Sequence, residues 1–150
     1  MQITLVHIAA RPSSARDGFE ALTQVYLERC AAFAECSATA FRTEDALFDW
    51  TARQKGRTSP VTVLLDSRGR SMTSEAFAAW LGGRRDEGAQ HVVFAVGPAD
   101  GWTEAARKRA GMLLSLGPMT IAHSLARLVL AEQIYRAFAI LSGHPYHGGH

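Results

Sequence analysis

HVVFAVGPADG, residues 91–101, holds the reading that decides the fold. After its leading histidine the run is apolar as far as Val96, and it then breaks into a Gly-Pro-Ala-Asp-Gly turn. A short apolar run bounded by turn residues suits a strand covered on both faces. Working outward, VTVLL at residues 61–65 and MLLSL at 112–116 repeat the pattern. They close at Asp66, with a loop through Gly69 and Arg70, and at Gly117-Pro118. Between these runs lie two helical stretches. Residues 73–81 have Thr73 as cap and the Gly82-Gly83 pair as stop, and residues 102–110 make a shorter helix. Upstream, QITLVHI at residues 2–8 reads as a strand, 17–34 as an amphipathic helix, 37–41 as a weak strand and 43–53 as a short helix. Residues 123–141 contain neither Gly nor Pro and form the longest helix. Strands that alternate with helices predict an α/β domain with a mostly parallel sheet. A single domain over residues 1–150 is expected, ending in a short flexible tail at 143–150.

Composition sets the outer limits. Of 150 residues, 47% are apolar and 20% charged, which excludes a disordered chain and allows one real core. Two cysteines, Cys30 and Cys36, make no disulfide framework, so a reduced, cytoplasmic setting is expected. The longest apolar run, residues 76–81, is far short of the roughly 20 residues of a membrane helix. No signal peptide is visible at the start of the sequence. The net charge of +2 neither requires nor excludes a polyanionic partner. All basic residues except Lys55 and Lys108 are arginine, which fits either an arginine-favouring genome or contact with phosphates and bases.

In open α/β sheets ligands bind beyond the carboxyl ends of the strands. Here those ends are the loops at 66–69, 97–101 and 117–121, where a small-molecule site is expected. The long helix carries two apolar stripes: Leu128, Val129, Ile134, Phe138 and Leu141, then Leu125, Leu130, Ala137 and Ile140. That excess suits a symmetric dimer or a central, fully packed helix. Residues 97–101 do not form a phosphate loop, because no Lys-Ser/Thr follows. His123 can cap the long helix or meet an anion there. Arg136 follows Glu132 by four residues, the spacing of a helix salt bridge. His144, His147 and His150 are evenly spaced, yet the Pro and Gly around them argue against a metal site, and none is expected.

DSRGRSMTSEAF (66–77), VVFAVG (92–97) with Asp100-Gly101, LSLGPMTIAH (114–123), RLVLAEQIYRAF (127–138) and HPYH (144–147) resemble the RlmH family, ribosomal RNA pseudouridine N3-methyltransferases of the SPOUT superfamily. The resemblance runs from Gln2 to His147 and is strongest in the C-terminal half. It implies a SPOUT fold with a C-terminal trefoil knot, and a homodimer. It implies S-adenosyl-L-methionine as cofactor, held by Leu65, Gly97, Leu116, Gly117, Pro118, Met119, Thr120 and Ile121. The expected reaction is methyl transfer to N3 of a pseudouridine in 23S rRNA of the assembled ribosome. This chain departs from the family at Pro98, where a second Gly is usual, and at Ala122, where Pro is common. A non-catalytic RNA-binding or ribosome-assembly protein with the same fold is the alternative, which Pro98 favours. Because the N3 proton must leave before the nitrogen can attack, the site needs a base and a cationic donor. His123 and His147 are the base candidates, Arg127 the donor, and Tyr146 a stacking partner for the base, with the tail completing the site across the dimer. Arg68, Arg70, Arg127 and Arg136 are the expected RNA contacts.

Overall fold

In a computed structural model, which describes residues 1–9, 18–54 and 56–148, ten regular elements alternate along the chain. They are β1 (Gln2–Ile8), α1 (Gly18–Cys30), β2 (Glu35–Phe41), α2 (Glu44–Ala52), β3 (Val61–Ser71), α3 (Ser74–Asp86), β4 (His91–Val96), α4 (Glu104–Arg109), β5 (Met112–Ser115) and α5 (His123–Ser142). A 3₁₀ turn, Pro145–His147, follows. Every strand pairing is parallel, in the order β2-β1-β4-β3-β5.

Both faces of the sheet are covered, which is why the central strands read as unbroken apolar runs. Alternate residues serve opposite layers. Ile3, Leu5, Val63, Val92 and Phe94 pack with α1, α3 and α5, whereas Val6, Leu64, Val93 and Ala95 pack with Leu47, Phe48 and Ala106 of α2 and α4. Thr43, Thr73 and Thr103 cap α2, α3 and α4, each hydroxyl accepting from a backbone N–H three residues on.

Two expectations are corrected, and the surroundings of α5 and of the tail are defined. β3 does not end at Asp66: a bulge between Leu65 and Arg70 lets Arg70 and Ser71 rejoin β5 at Leu114 and Ser115. Gly69 makes this possible, since a Cβ there would lie 2.5 Å from the Leu113 backbone. The Gly82-Gly83 pair does not stop α3, which runs to Asp86. Gly82 instead gives close approach to α5, where a Cβ would meet Leu141 Cδ2 at 2.8 Å. α5 needs no second chain to cover most of its two stripes, because α1 and α3 of the same chain flank it and bury Leu130, Ile134, Ala137 and Phe138. The tail makes defined contacts as far as His147. Tyr146 packs edge-on against Tyr135 with ring centroids 4.7 Å apart, and its hydroxyl donates to Glu132 at 2.9 Å.

Candidate active site

β3 lies between β4 and β5 in the sheet, so its bulge at residues 66–67 meets the loops that follow β4 and β5. They enclose a cavity of about 500 Å³, in the range of small-molecule sites. All eight residues expected to hold a cofactor line it: Leu65, Gly97 and the run from Leu116 to Ile121. His123 and Ala126, on the first turn of α5, form a further wall. Gly117 has φ +121°, a conformation that suits glycine. Gly97 is needed for space: a Cβ would lie 2.7 Å from the Trp102 indole. That indole is buried and donates its Nε1–H to the Leu65 carbonyl at 2.9 Å, tying two walls together. Pro98 fits the loop it occupies. Its carbonyl accepts from Gly101 N–H at 2.9 Å, closing a turn that makes no demand on a residue-98 N–H. The cavity's size and its largely uncharged lining fit S-adenosylmethionine.

Asp66 and Arg107 form the charged wall, with Arg107 Nε 2.7 Å from the carboxylate. Burial alone would raise the Asp66 pKa. The Arg68 backbone N–H and the Arg107 guanidinium outweigh it and hold the carboxyl below its usual range.

His123 does not cap α5, whose N-terminus has no side-chain cap. Its Nε2 is hydrogen-bonded to the Gly97 carbonyl. A carbonyl only accepts, so Nε2 carries the proton and the lone pair lies on Nδ1. Below it sits His7, whose pairing with Val96 at the end of β1 places it one residue from Gly97. The His7 and His123 rings meet edge-to-face, centroids 6.1 Å apart. Burial, then the charges of Arg127 and His123, push the His7 pKa down to about 4 against a smaller opposing effect of Glu20. Arg127 lies one turn beyond His123 and is 4% exposed. Its Nη1 donates to Glu20 of α1 at 2.6 Å. Its two terminal nitrogens are thus paired with Glu20, which pins α1 to α5 beside His123, while its Nε is buried with no hydrogen-bond partner among the described residues.

Tyr146 and His147 lie elsewhere. Arg136 donates to Glu132 at 2.7 Å and to His147 Nδ1 at 2.9 Å, and His147 Nε2–H donates to Glu75 at 2.7 Å. Since a guanidinium has no acceptor, both ring nitrogens of His147 are engaged and neither offers a free lone pair. From residue 123 to 136 the helix rises about 20 Å. Within one chain the tail thus stands well apart from the cavity and from His123. Arg68 and Arg70 are exposed on the β3 bulge, whereas Arg127 is buried and Arg136 is tied into the tail network. His144 Nδ1 accepts from the Tyr146 backbone N–H at 3.2 Å. His150, Lys55 and the segment after β1 lie outside the described residues.

Three site residues carry no sign of their role in the sequence: Trp102 reads as helix, and Arg107 and Glu20 show no local pattern, since their partners are far along the chain. Asp66 is legible as the first residue of a strand-end loop, but its pairing with Arg107 is not. His7 has a visible sign: a polar residue inside an otherwise apolar strand.

Comparison with known proteins adds a separate line of support. Residues 1–147 match the family model described as "Predicted SPOUT methyltransferase". The chain is 45% identical over 150 residues to "Ribosomal RNA large subunit methyltransferase H" of Koribacter versatilis, covering all of both chains. It is 54% identical over 87 residues to the protein of that name from Rhodospirillum centenum, covering 58% of this chain and 57% of that one. Among solved structures it resembles the SpoU methyltransferase AviRb of Streptomyces viridochromogenes, determined in complex with the cofactor AdoMet. The match has a TM-score of 0.50 and 13% identity and covers 91% of this chain and 57% of the other, a likeness of fold.

Proposed function

The chain belongs to the SPOUT methyltransferases, within the ribosomal RNA large subunit methyltransferase H family, and from that premise we propose how its residues transfer a methyl group to N3 of a pseudouridine in large-subunit ribosomal RNA. The protein is an S-adenosylmethionine-dependent ribosomal RNA methyltransferase, a reading carried by full-length similarity at 45% identity and by the SPOUT family match. Membership of the family implies the C-terminal trefoil knot. It favours catalysis over a purely RNA-binding role, and Pro98, the residue that spoke for the latter, sits in a loop that tolerates it. We read residues 1–150 as one domain acting in the cytoplasm, where assembled ribosomes are found. Among the described residues no helix is long and apolar enough to cross a membrane.

When bound, S-adenosylmethionine supplies an electrophilic methyl group on its sulfonium. Leu65, Gly97 and residues 116–121 would hold it, and Trp102 ties the wall at Leu65 to the one at Gly97. His123 is the base: its Nδ1 takes the N3 proton of pseudouridine, while the Gly97 carbonyl fixes the ring and its tautomer. The single observation behind this assignment is the lone pair on His123 Nδ1 at the cavity wall, set against a His147 with none free.

The tail enters from a second copy. Within one chain it lies about 20 Å along α5 from His123, so the two parts act together only across a dimer. The exposed apolar side chains Phe19, Leu22 and Val25 of α1, with Leu125 of α5, supply a surface for that contact next to Arg127. Across it Arg136 would be the cation that meets the charge spreading onto the base carbonyls, and Tyr146 and His147 would hold the base.

The test is methyl transfer to ribosomes that lack the modification. His123→Ala should lower the rate constant at least a hundredfold, in line with the roughly 10²–10⁴ of a lost acid or base, with cofactor affinity nearly unchanged. His147→Ala should weaken ribosome binding more than it slows the step. The reverse pattern would move the proton to His147.

A further inference from the structure

Beyond the edge strand β5 lies a second cavity of about 460 Å³, bounded by Arg68, Arg70, Trp80 and Arg84 above a floor of Met112 and Leu113. Its position follows from the β3 bulge. Gly69 presses onto the β5 backbone, and Arg68 and Arg70 stand exposed on either side of it. Arg84 reaches in from α3, its guanidinium 5.8 Å from the centre of the Trp80 ring and its Nε buried with no hydrogen-bond partner among the described residues. Among the described residues the Arg70 guanidinium has only the Met112 sulfur as partner, at 3.9 Å. Arg84 pairs with Glu87 at 2.8 Å and Arg68 with Glu104 at 3.6 Å, and both acids are about two-thirds exposed. Solvated pairs of this kind are weak and exchange readily for another anion.

Three guanidinium groups around one concave surface, with one indole to orient one of them, match phosphate oxygens in geometry and charge. We propose that this cavity is a phosphate-docking site for the ribosomal RNA strand that leads to the methylation site. The inference rests on the functional reading above, which supplies an RNA partner, but assigns a surface that reading does not use. The spacing suits it. Ser67 lines the cofactor cavity and Arg68 and Arg70 line this one, so the two cavities flank a single bulge of β3. One RNA strand can therefore touch both. Phosphate contacts fix register and orientation without reading sequence, which is what an enzyme with one target on a large surface needs from a secondary contact.

The experiment compares wild type with Arg70→Ala/Arg84→Ala and Arg70→Lys, on purified ribosomes lacking the modification and on a naked rRNA fragment that spans the target. The double variant should raise KM for ribosomes at least tenfold with kcat and cofactor affinity unchanged. The slope of log affinity against log salt should fall by about 1.4–1.8, the loss of two phosphate contacts. Arg70→Lys should keep most of the affinity. An unchanged KM and salt slope in a folded double variant overturn the proposal, as does a variant that loses ribosomes but binds the naked fragment like wild type, which would mark a protein partner. If wild type binds ribosomes with this arginine dependence but transfers no methyl group, the functional reading fails and the docking site stands.

Discussion

Replacing Gly97 with alanine adds one methyl group at the most crowded point of the cofactor cavity. Two effects oppose each other. Gly97 is not among the positive-φ glycines, so alanine fits its backbone and narrows the unfolded ensemble, a gain of about 0.4–1 kcal/mol. Against this, the new Cβ would stand 2.7 Å from Trp102 Cε2 and 2.8 Å from Nε1. The indole is 4% exposed and has nowhere free to go without leaving the Leu65 carbonyl. Overpacking costs about 1–3 kcal/mol and a broken buried hydrogen bond about 1–3 kcal/mol. The clash wins by roughly 1–5 kcal/mol. At about 2–4 °C per kcal/mol for a chain of this length, the melting temperature should fall by roughly 2–20 °C. Cofactor affinity should fall with it, because Leu65 and Gly97 both wall the site. Thermal denaturation and calorimetric titration with S-adenosylmethionine measure the two effects. Gly97→Ala combined with Trp102→Leu should be milder than the sum of the single changes by about 0.5–3 kcal/mol, since the methyl group then enters vacated space. A Gly97→Ala protein that melts no lower than wild type and binds the cofactor equally well would refute the reasoning about this wall.

Three further outcomes are expected. The His7 pKa of about 4 lies below its unfolded value near 6.5, so the unfolded chain binds the extra proton first. Its stabilising contribution is complete above pH 6.5, is lost as pH falls to 4 and amounts to on the order of 3 kcal/mol, so His7→Leu should flatten the stability profile across that window in urea melts. Leu22 is half exposed, so Leu22→Arg should leave the folded monomer intact but split the proposed dimer in sedimentation and abolish methyl transfer; a dimer that survives at micromolar concentration counts against that surface. Glu20→Gln leaves the buried Arg127 guanidinium without its carboxylate and should cost about 1.5–3 kcal/mol, read in denaturant titrations; a loss under 1 kcal/mol would mean that Arg127 finds another partner.

Local pattern alone encodes the strands, the loops and the family. The runs at 61–65, 91–96 and 112–116 are apolar because helices cover both faces of the sheet, so their composition alone marks them as parallel strands. The cofactor loops are legible for a related reason: in a parallel sheet the chain must turn at strand ends, and Gly97, Gly101 and Gly117 mark those turns. The motif 127–138 with HPYH identifies the family. How these parts combine is a matter of tertiary packing. Gly82 reads as a helix stop, because nothing near it in sequence shows that Leu141 packs there. The tail reads as floppy, because Glu75, Glu132 and Tyr135, which hold it, are 72, 14 and 11 residues away in sequence. The two candidate histidines are equivalent as letters. They become distinct only in the fold, where one is bonded to a carbonyl and the other to a guanidinium and a carboxylate, since a free lone pair depends on partners brought in from afar.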